Sequence, residues 1–175
     1  MFRPKQSGFS VIEFILVIAI FTILALASTT IFNKDEYYKE SQIEQVFDLI
    51  KKTRIISLKK NQTAIICASN DGTTCLSNNI WDSNYIIAFT SQDGSNTYDP
   101  QNDTFIGRIE KVKSSFYYEW SAFPNANYIK IVSRGNGMNG TLTFCENSVA
   151  YKKLLVNFRG HATLKEATDN TPCVV

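Results

Sequence analysis

Hydrophobic and polar positions fall into three textures along the chain. From Phe9 to Phe32 the residues are apolar, with one carboxylate, Glu13, near the start. That is about 24 residues, and a membrane-spanning helix needs ~20. Asn33-Lys34-Asp35-Glu36 then marks a polar exit. Beyond it Ile43, Val46, Phe47, Ile50, Arg54 and Leu58 recur at three- and four-residue steps. This spacing forms one face of an amphipathic helix, expected to dock on the chain's own sheet. No glycine or proline occurs from Phe9 to Asp71, so nothing breaks the helix between the two textures. One helix is predicted from Phe9 to near Lys60-Asn61, about 52 residues and ~78 Å long at ~1.5 Å per residue.

After Asn61 the texture becomes short β-like runs divided by turns rich in Asn, Asp, Ser and Gly. The predicted strands are Ala64–Ala68, Tyr85–Thr90, Phe105–Val112, Phe116–Trp120, Tyr128–Val132, Thr141–Cys145 and Leu154–Phe158. A long helix followed by strands is an α+β pattern. No internal repeat or low-complexity tract interrupts it.

Charge changes this picture little. Lys and Arg number 18 and Asp and Glu 16, a formal net charge of +2. Arg3 and Lys5 both precede Gly8, and without them cations and carboxylates are equal in number. A neutral chain gives no bulk electrostatic case for nucleic acid or acidic lipid. The 4 cysteines are Cys67, Cys75, Cys145 and Cys173. An even count beyond a membrane segment points to two disulfides and an oxidising compartment. Three pairings are possible. The favoured one is Cys67–Cys75, closing a short loop around Asn70-Asp71-Gly72, with Cys145–Cys173, which ties down a polar tail. No C-x-x-C pair and a single histidine, His161, argue against a zinc site.

The N-terminal arrangement is specific. A secretory signal places its apolar region before the cleavage site; here the small residue Gly8 comes before the apolar run. The basic leader, Gly8, and Phe9-Ser10-Val11-Ile12-Glu13 followed by an apolar helix resemble the processing motif of type IV pilins and pseudopilins. The resemblance implies that a prepilin peptidase cuts between Gly8 and Phe9 and that Phe9 is then methylated. It also gives Glu13 a role. A carboxylate inside a membrane is costly and seeks an opposite charge. The family supplies one in the amine of a neighbouring subunit's Phe9, a pair that sets the axial register of one helix on the next. Some tip pseudopilins lack this acid, so its presence argues against the outermost cap position.

The remainder resembles the GspH/FimT-like branch, which includes FimU-type minor pilins. The carrying residues are Lys51-Lys52-Thr53-Arg54, the strand ending in Cys67, Asp71-Gly72, Trp81, Ser133-Arg134-Gly135, Gly140 to Cys145, and Val156-Asn157-Phe158-Arg159-Gly160. This resemblance implies a helix packed on two antiparallel sheets. The implied organisation is a cleaved leader at 1–8, a transmembrane half-helix at 9–32 in contact with lipid, and a periplasmic domain at 33–175. The implied role is a minor pilin in initiation and tip assembly of a type IV pilus. Its implied partners are other minor pilins, the major pilin and an inner-membrane assembly platform. A GspH-like pseudopilin of type II secretion and a DNA-binding minor pilin for natural transformation are the alternatives. DNA-binding members carry Gly-Arg-x-Arg, where this chain has Gly160-His161-Ala162-Thr163. Both arginine positions are altered, which leaves Lys152, Lys153, Arg159, His161 and Lys165 as a weak basic patch.

Catalytic chemistry is not expected. A Ser/His/Asp or Cys/His site would have to use His161, and there is no nucleophile elbow. The acid-rich stretch Asp93-Gly94-Ser95-Asn96, with Asp99, Asn102 and Asp103, lacks the spacing and terminal glutamate of an EF-hand and reads as a solvated loop. No cofactor or metal is expected.

Overall fold

Two helices lead the chain: α1, Val11–Ile31, and α2, Lys34–Lys60. The computed structural model describes residues 10–31, 34–111, 116–133, 137–167 and 172–173, with backbone alone at 27–31 and 34. Gly8, Phe9, the expected membrane boundary at Phe32, and the unbroken passage between the helices lie outside these residues. So do Val112, Arg134 and Gly135. The chain divides into two units, Met1–Tyr38 and Lys39–Val175. In the first, every described side chain of α1 from Val11 to Leu26 is exposed. Among the described residues no helix is long and apolar enough to cross a membrane. The backbone helix runs 21 residues, a rise of about 30 Å.

α2 ends as the sequence leads one to expect. Asn61 adopts the left-handed conformation (φ 53°), which asparagine tolerates better than most residues. The Asn61 amide then donates to the Leu58 carbonyl and the Gln62 amide to the Ser57 carbonyl. This is a Schellman closure, which satisfies carbonyls that the helix end would otherwise orphan. Asp35 and Glu36 in the first turn and Lys59 and Lys60 in the last match the helix dipole. Ile43, Val46 and Ile50 are fully buried, together with Leu49, Thr53 and Ser57. Leu58, expected on this face, is exposed. Ser57 takes the inward position, and its hydroxyl lies within reach of the Gln62 and Ile131 carbonyls.

Among the described residues nine strands follow: β1 Thr63–Ser69, β2 Ile80–Trp81, β3 Tyr85–Ser91, β4 Thr104–Glu110, β5 Phe116–Phe123, β6 Tyr128–Ile131, β7 Asn139–Glu146, β8 Val149–Val156 and β9 Ala162–Glu166. They form two antiparallel sheets, ordered β4-β3-β1-β6 and β2-β5-β7-β8-β9. The fold is therefore α+β, a helix with antiparallel sheets. The main core joins Ile43, Val46 and Ile50 of α2 to Ile66, Ile86, Ile129, Trp120, Phe144 and Leu154 of the sheets. A second cluster, Ile65, Cys67, Ile87 and Phe89, lies on the other face of the first sheet under Tyr98 and Cys75. Burial on both faces explains why β1 and β3 read as continuous apolar runs rather than alternating ones.

β2 and β9 were not predicted, and β8 begins earlier than expected. Two-residue β2 is too short to show a period, although it carries the fully buried Trp81. Phe158, expected inside the last strand, lies in the turn between β8 and β9. Two disulfides are present, Cys67–Cys75 with Cα atoms 5.5 Å apart and Cys145–Cys173 at 6.2 Å.

Gly140 marks a tight point in the second sheet. A Cβ there would sit 2.3 Å from Trp120 and 2.7 Å from the Ser121 carbonyl. Both neighbours belong to a packed strand and cannot swing away. Gly140→Ala should destabilise the domain by about 1–3 kcal/mol through overpacking. Gly107→Ala should cost less, because its Cβ meets the end of the Leu49 side chain at 3.2 Å. Urea denaturation of both variants checks the order, and equal midpoints would contradict it.

Candidate functional site

The first site feature is local and lies at the start of α1. Ser10 precedes the first helical residue, and Glu13 stands three positions later. Glu13 Oε2 accepts the Ser10 amide at 3.0 Å, and Ser10 Oγ accepts the Ile12 amide at a longer 3.4 Å. This is a capping box, in which side chains satisfy amides at a helix start. The S-x-x-E pattern before an apolar run is a readable signal for it, and attention to the acid's membrane cost hides it. Within its own chain, Glu13 therefore already holds a hydrogen-bond donor.

The second feature joins α2 to the β7–β8 hairpin. Lys39 Nζ lies 2.6 Å from the Glu146 carboxylate. Glu40 receives the Tyr151 hydroxyl at 2.6 Å and the Lys152 ammonium at 2.7 Å. A β-bulge makes this possible. Phe144 pairs with Lys152 and Cys145 with Ala150, which leaves Tyr151 as the extra residue. A bulge re-aims side chains, so the consecutive residues Tyr151 and Lys152 both reach Glu40. Burial pushes the Glu40 carboxyl up, but the bonds from Lys152 and Tyr151 outweigh it and hold it below its ordinary value. Burial likewise pushes Lys152 down, and Glu40 and Glu166 outweigh that to leave it raised.

This clamp revises the expected basic patch. Lys152 is engaged by Glu40 and by Glu166 at 3.5 Å, so it leaves the patch. Lys153 and Lys165 sit opposite each other in the β8–β9 register. Period-two alternation puts them on the opposite face of the sheet from Lys152. Arg159 lies in the turn with its guanidinium 5.4 Å from the Phe158 ring. Its carbonyl accepts Arg54 Nε at 2.8 Å, which ties the turn to α2. His161 is exposed, and its backbone amide donates to the Asn157 side chain. The five residues therefore do not form one patch.

The loops are organised by their own acids. Asp71 Oδ1 accepts the Thr73 and Thr74 amides at 2.7 Å inside the Cys67–Cys75 loop. Those amides, Thr74's first, hold its carboxyl far below the ordinary range. Asp93 is lowered by the Ser95 amide in the same way. Asp103 accepts the amides of Gln92 and Asp99. Glu119, Cys145 and Cys173 place ligand-type atoms near one another, but the two sulfurs are bonded to each other. Burial raises the Tyr118 hydroxyl above its ordinary value.

The third feature is an open groove of about 510 Å³ across β5, β7, β8 and β9, lined by Ser121, Phe123, Thr141, Asn157, His161 and Thr163 among others. Sequence reasoning missed it, because its walls come from four strands that are distant along the chain.

A family model described as type II transport protein GspH matches residues 42–160. A second, described as a prokaryotic N-terminal methylation motif, matches residues 3–29. No curated protein matches the sequence significantly. Crystal structures of the type IV minor pilin FimU from Pseudomonas aeruginosa (strain PAO1) share the fold. The form in space group P65 has a TM-score of 0.55 at 11% identity, covering 77% of this chain and 99% of that one. The form in P21 has a TM-score of 0.59 at 11% identity, covering 80% and 98%. At that identity the likeness is one of fold.

Proposed function

The chain belongs to the GspH family, and from that premise we propose that it is a non-enzymatic minor pilin that helps initiate a type IV pilus and stays near its tip. The observation that carries the reading is α1. Apart from Glu13 and Thr22 its described side chains are apolar, and all of them are exposed; a helix apolar on nearly every side belongs in lipid or among other helices. The methylation motif at residues 3–29 supports the same reading. In this account prepilin peptidase cuts between Gly8 and Phe9 and the new N-terminus is methylated. Residues 9–32 hold the chain in the inner membrane, with 33–175 in the periplasm. Other minor pilins and the assembly platform then draw it into the complex that starts the fibre, and the major pilin is added below it.

A second reading, a pseudopilin of type II secretion, is favoured by the description of the matching family. Deleting the gene separates the two. The leading reading expects surface pili to fall about tenfold or more while secreted enzymes still leave the cell. Normal piliation with enzymes trapped in the periplasm would transfer the function to secretion.

A further inference from the structure

The groove across the second sheet takes no part in anchoring or in the α2 clamp. Its volume, about 510 Å³, falls in the ligand-site range of ~300–1,000 Å³. Its floor follows from the register. Ser121 pairs with Thr141, Thr141 with Leu155, and Leu155 with Thr163. The four form a row about 14 Å long at ~4.8 Å per strand. Phe123 stands at one end, 86% exposed. A large aromatic ring left open to solvent beside a polar groove offers a flat stacking surface.

Beside this uncharged row lies a compact positive one. Two residues along β8 and β9 from Leu155 and Thr163, on the same face, are Lys153 and Lys165. They are directly opposite each other, and like charges in that position repel and destabilise a sheet. Neither has an ion-pair partner among the described residues. On the β7 side, Lys153 faces Thr143, and Glu119 follows one strand further on, about two strand spacings from Lys153. The pair therefore carries a repulsion that one bound anion would relieve.

We propose that this face binds a short acidic oligosaccharide, with its sugar rings in the groove and a uronic carboxylate between Lys153 and Lys165. The hydroxyls of Ser121, Thr141 and Thr163 each donate and accept, which matches a ligand covered in hydroxyls. A sugar's C–H face packs on the Phe123 ring. A nucleic-acid strand fits less well, because tracking its phosphates takes several cations in a line. Here the row through Ser121 and Thr163 carries no cation, and the lysine pair is compact.

The test uses the full chain, isotope-labelled in detergent micelles, with trigalacturonic acid as the probe. Saturable NMR shifts are expected at Ser121, Thr141 and Thr163. A neutral galactotriose should bind about tenfold more weakly. The double variant Lys153→Gln/Lys165→Gln should lose about tenfold in affinity and most of the salt dependence. Its thermal midpoint should hold or rise, since the repulsion is gone. Phe123→Ala should weaken both saccharides alike. No saturable shift up to about 10 mM probe, a site weaker than the weakest useful contact, would overturn the proposal. Equal affinity for the neutral sugar, or affinity unchanged in the lysine variant, would also overturn it. So would an oligothymidylate that binds the same residues more tightly and displaces the saccharide, which would make the face a nucleic-acid surface.

Discussion

Glu13→Leu should leave the single chain inserted in the membrane but cut its in-membrane crosslinking to partner minor pilins by about tenfold or more, equivalent to ~1.4 kcal/mol. The proposed pairing of Glu13 with the amine of a neighbour's Phe9 is a charge interaction made only on assembly. Leucine removes it and also removes the cost of a carboxylate in lipid. The capping box allows a finer dissection. Glu13 also accepts the Ser10 amide at 3.0 Å, so a defect in the leucine variant could stem from the lost cap. Glutamine serves in a capping box as glutamate does, but carries no charge. Glu13→Gln should therefore keep the helix start and still fail to be recruited. Ser10→Ala should do the opposite, weakening the start by about 1 kcal/mol while recruitment persists. If Glu13→Gln crosslinks like the parent and Ser10→Ala does not, the carboxylate is a helix cap and the intersubunit pair is refuted.

Gly8→Val should abolish processing. Glycine has no Cβ, and the backbone beside it can be approached closely by another protein. A branched side chain next to the scissile bond denies the peptidase that approach. The precursor should accumulate with residues 1–8 attached, and pili should be lost with it. Intact-mass measurement of the membrane-extracted chain reads the outcome directly. A normal mature N-terminus in the variant would reject cleavage at this bond.

The helical half of the fold was legible because its signals are local. Ile43, Val46 and Ile50 repeat at helical spacing, and the stop at Asn61 needs only its tolerance of positive φ. Leu58 misleads because apolar character is not the only inward signal at the end of α2. Ser57 goes inward instead because its hydroxyl reaches the Gln62 and Ile131 carbonyls. Seven of the nine strands were visible as apolar runs. β8 begins before Leu154, a start hidden because the bulge at Tyr151 breaks period-two alternation along residues 149–153. The same bulge fixes which lysine faces α2. Without it the parity of Lys152 and Lys153 cannot be assigned from the sequence, so the basic residues merged into one patch. The groove was invisible for a related reason. Ser121, Thr141, Leu155 and Thr163 become neighbours only through strand pairing, and no linear spacing encodes that row.

The Cys145–Cys173 bond also has a mechanical meaning. It joins β7 to Cys173, 28 positions further along the chain, so β8 and β9 lie inside a covalent ring. A pulling force that enters through the tail passes from Cys173 straight to Cys145 and into β7, the strand held between β5 and β8. The β8–β9 segment is slack in that circuit. It is carried by the loaded strand and shares none of its tension, so a load applied beyond Cys173 would not peel β8 and β9 away from the sheet.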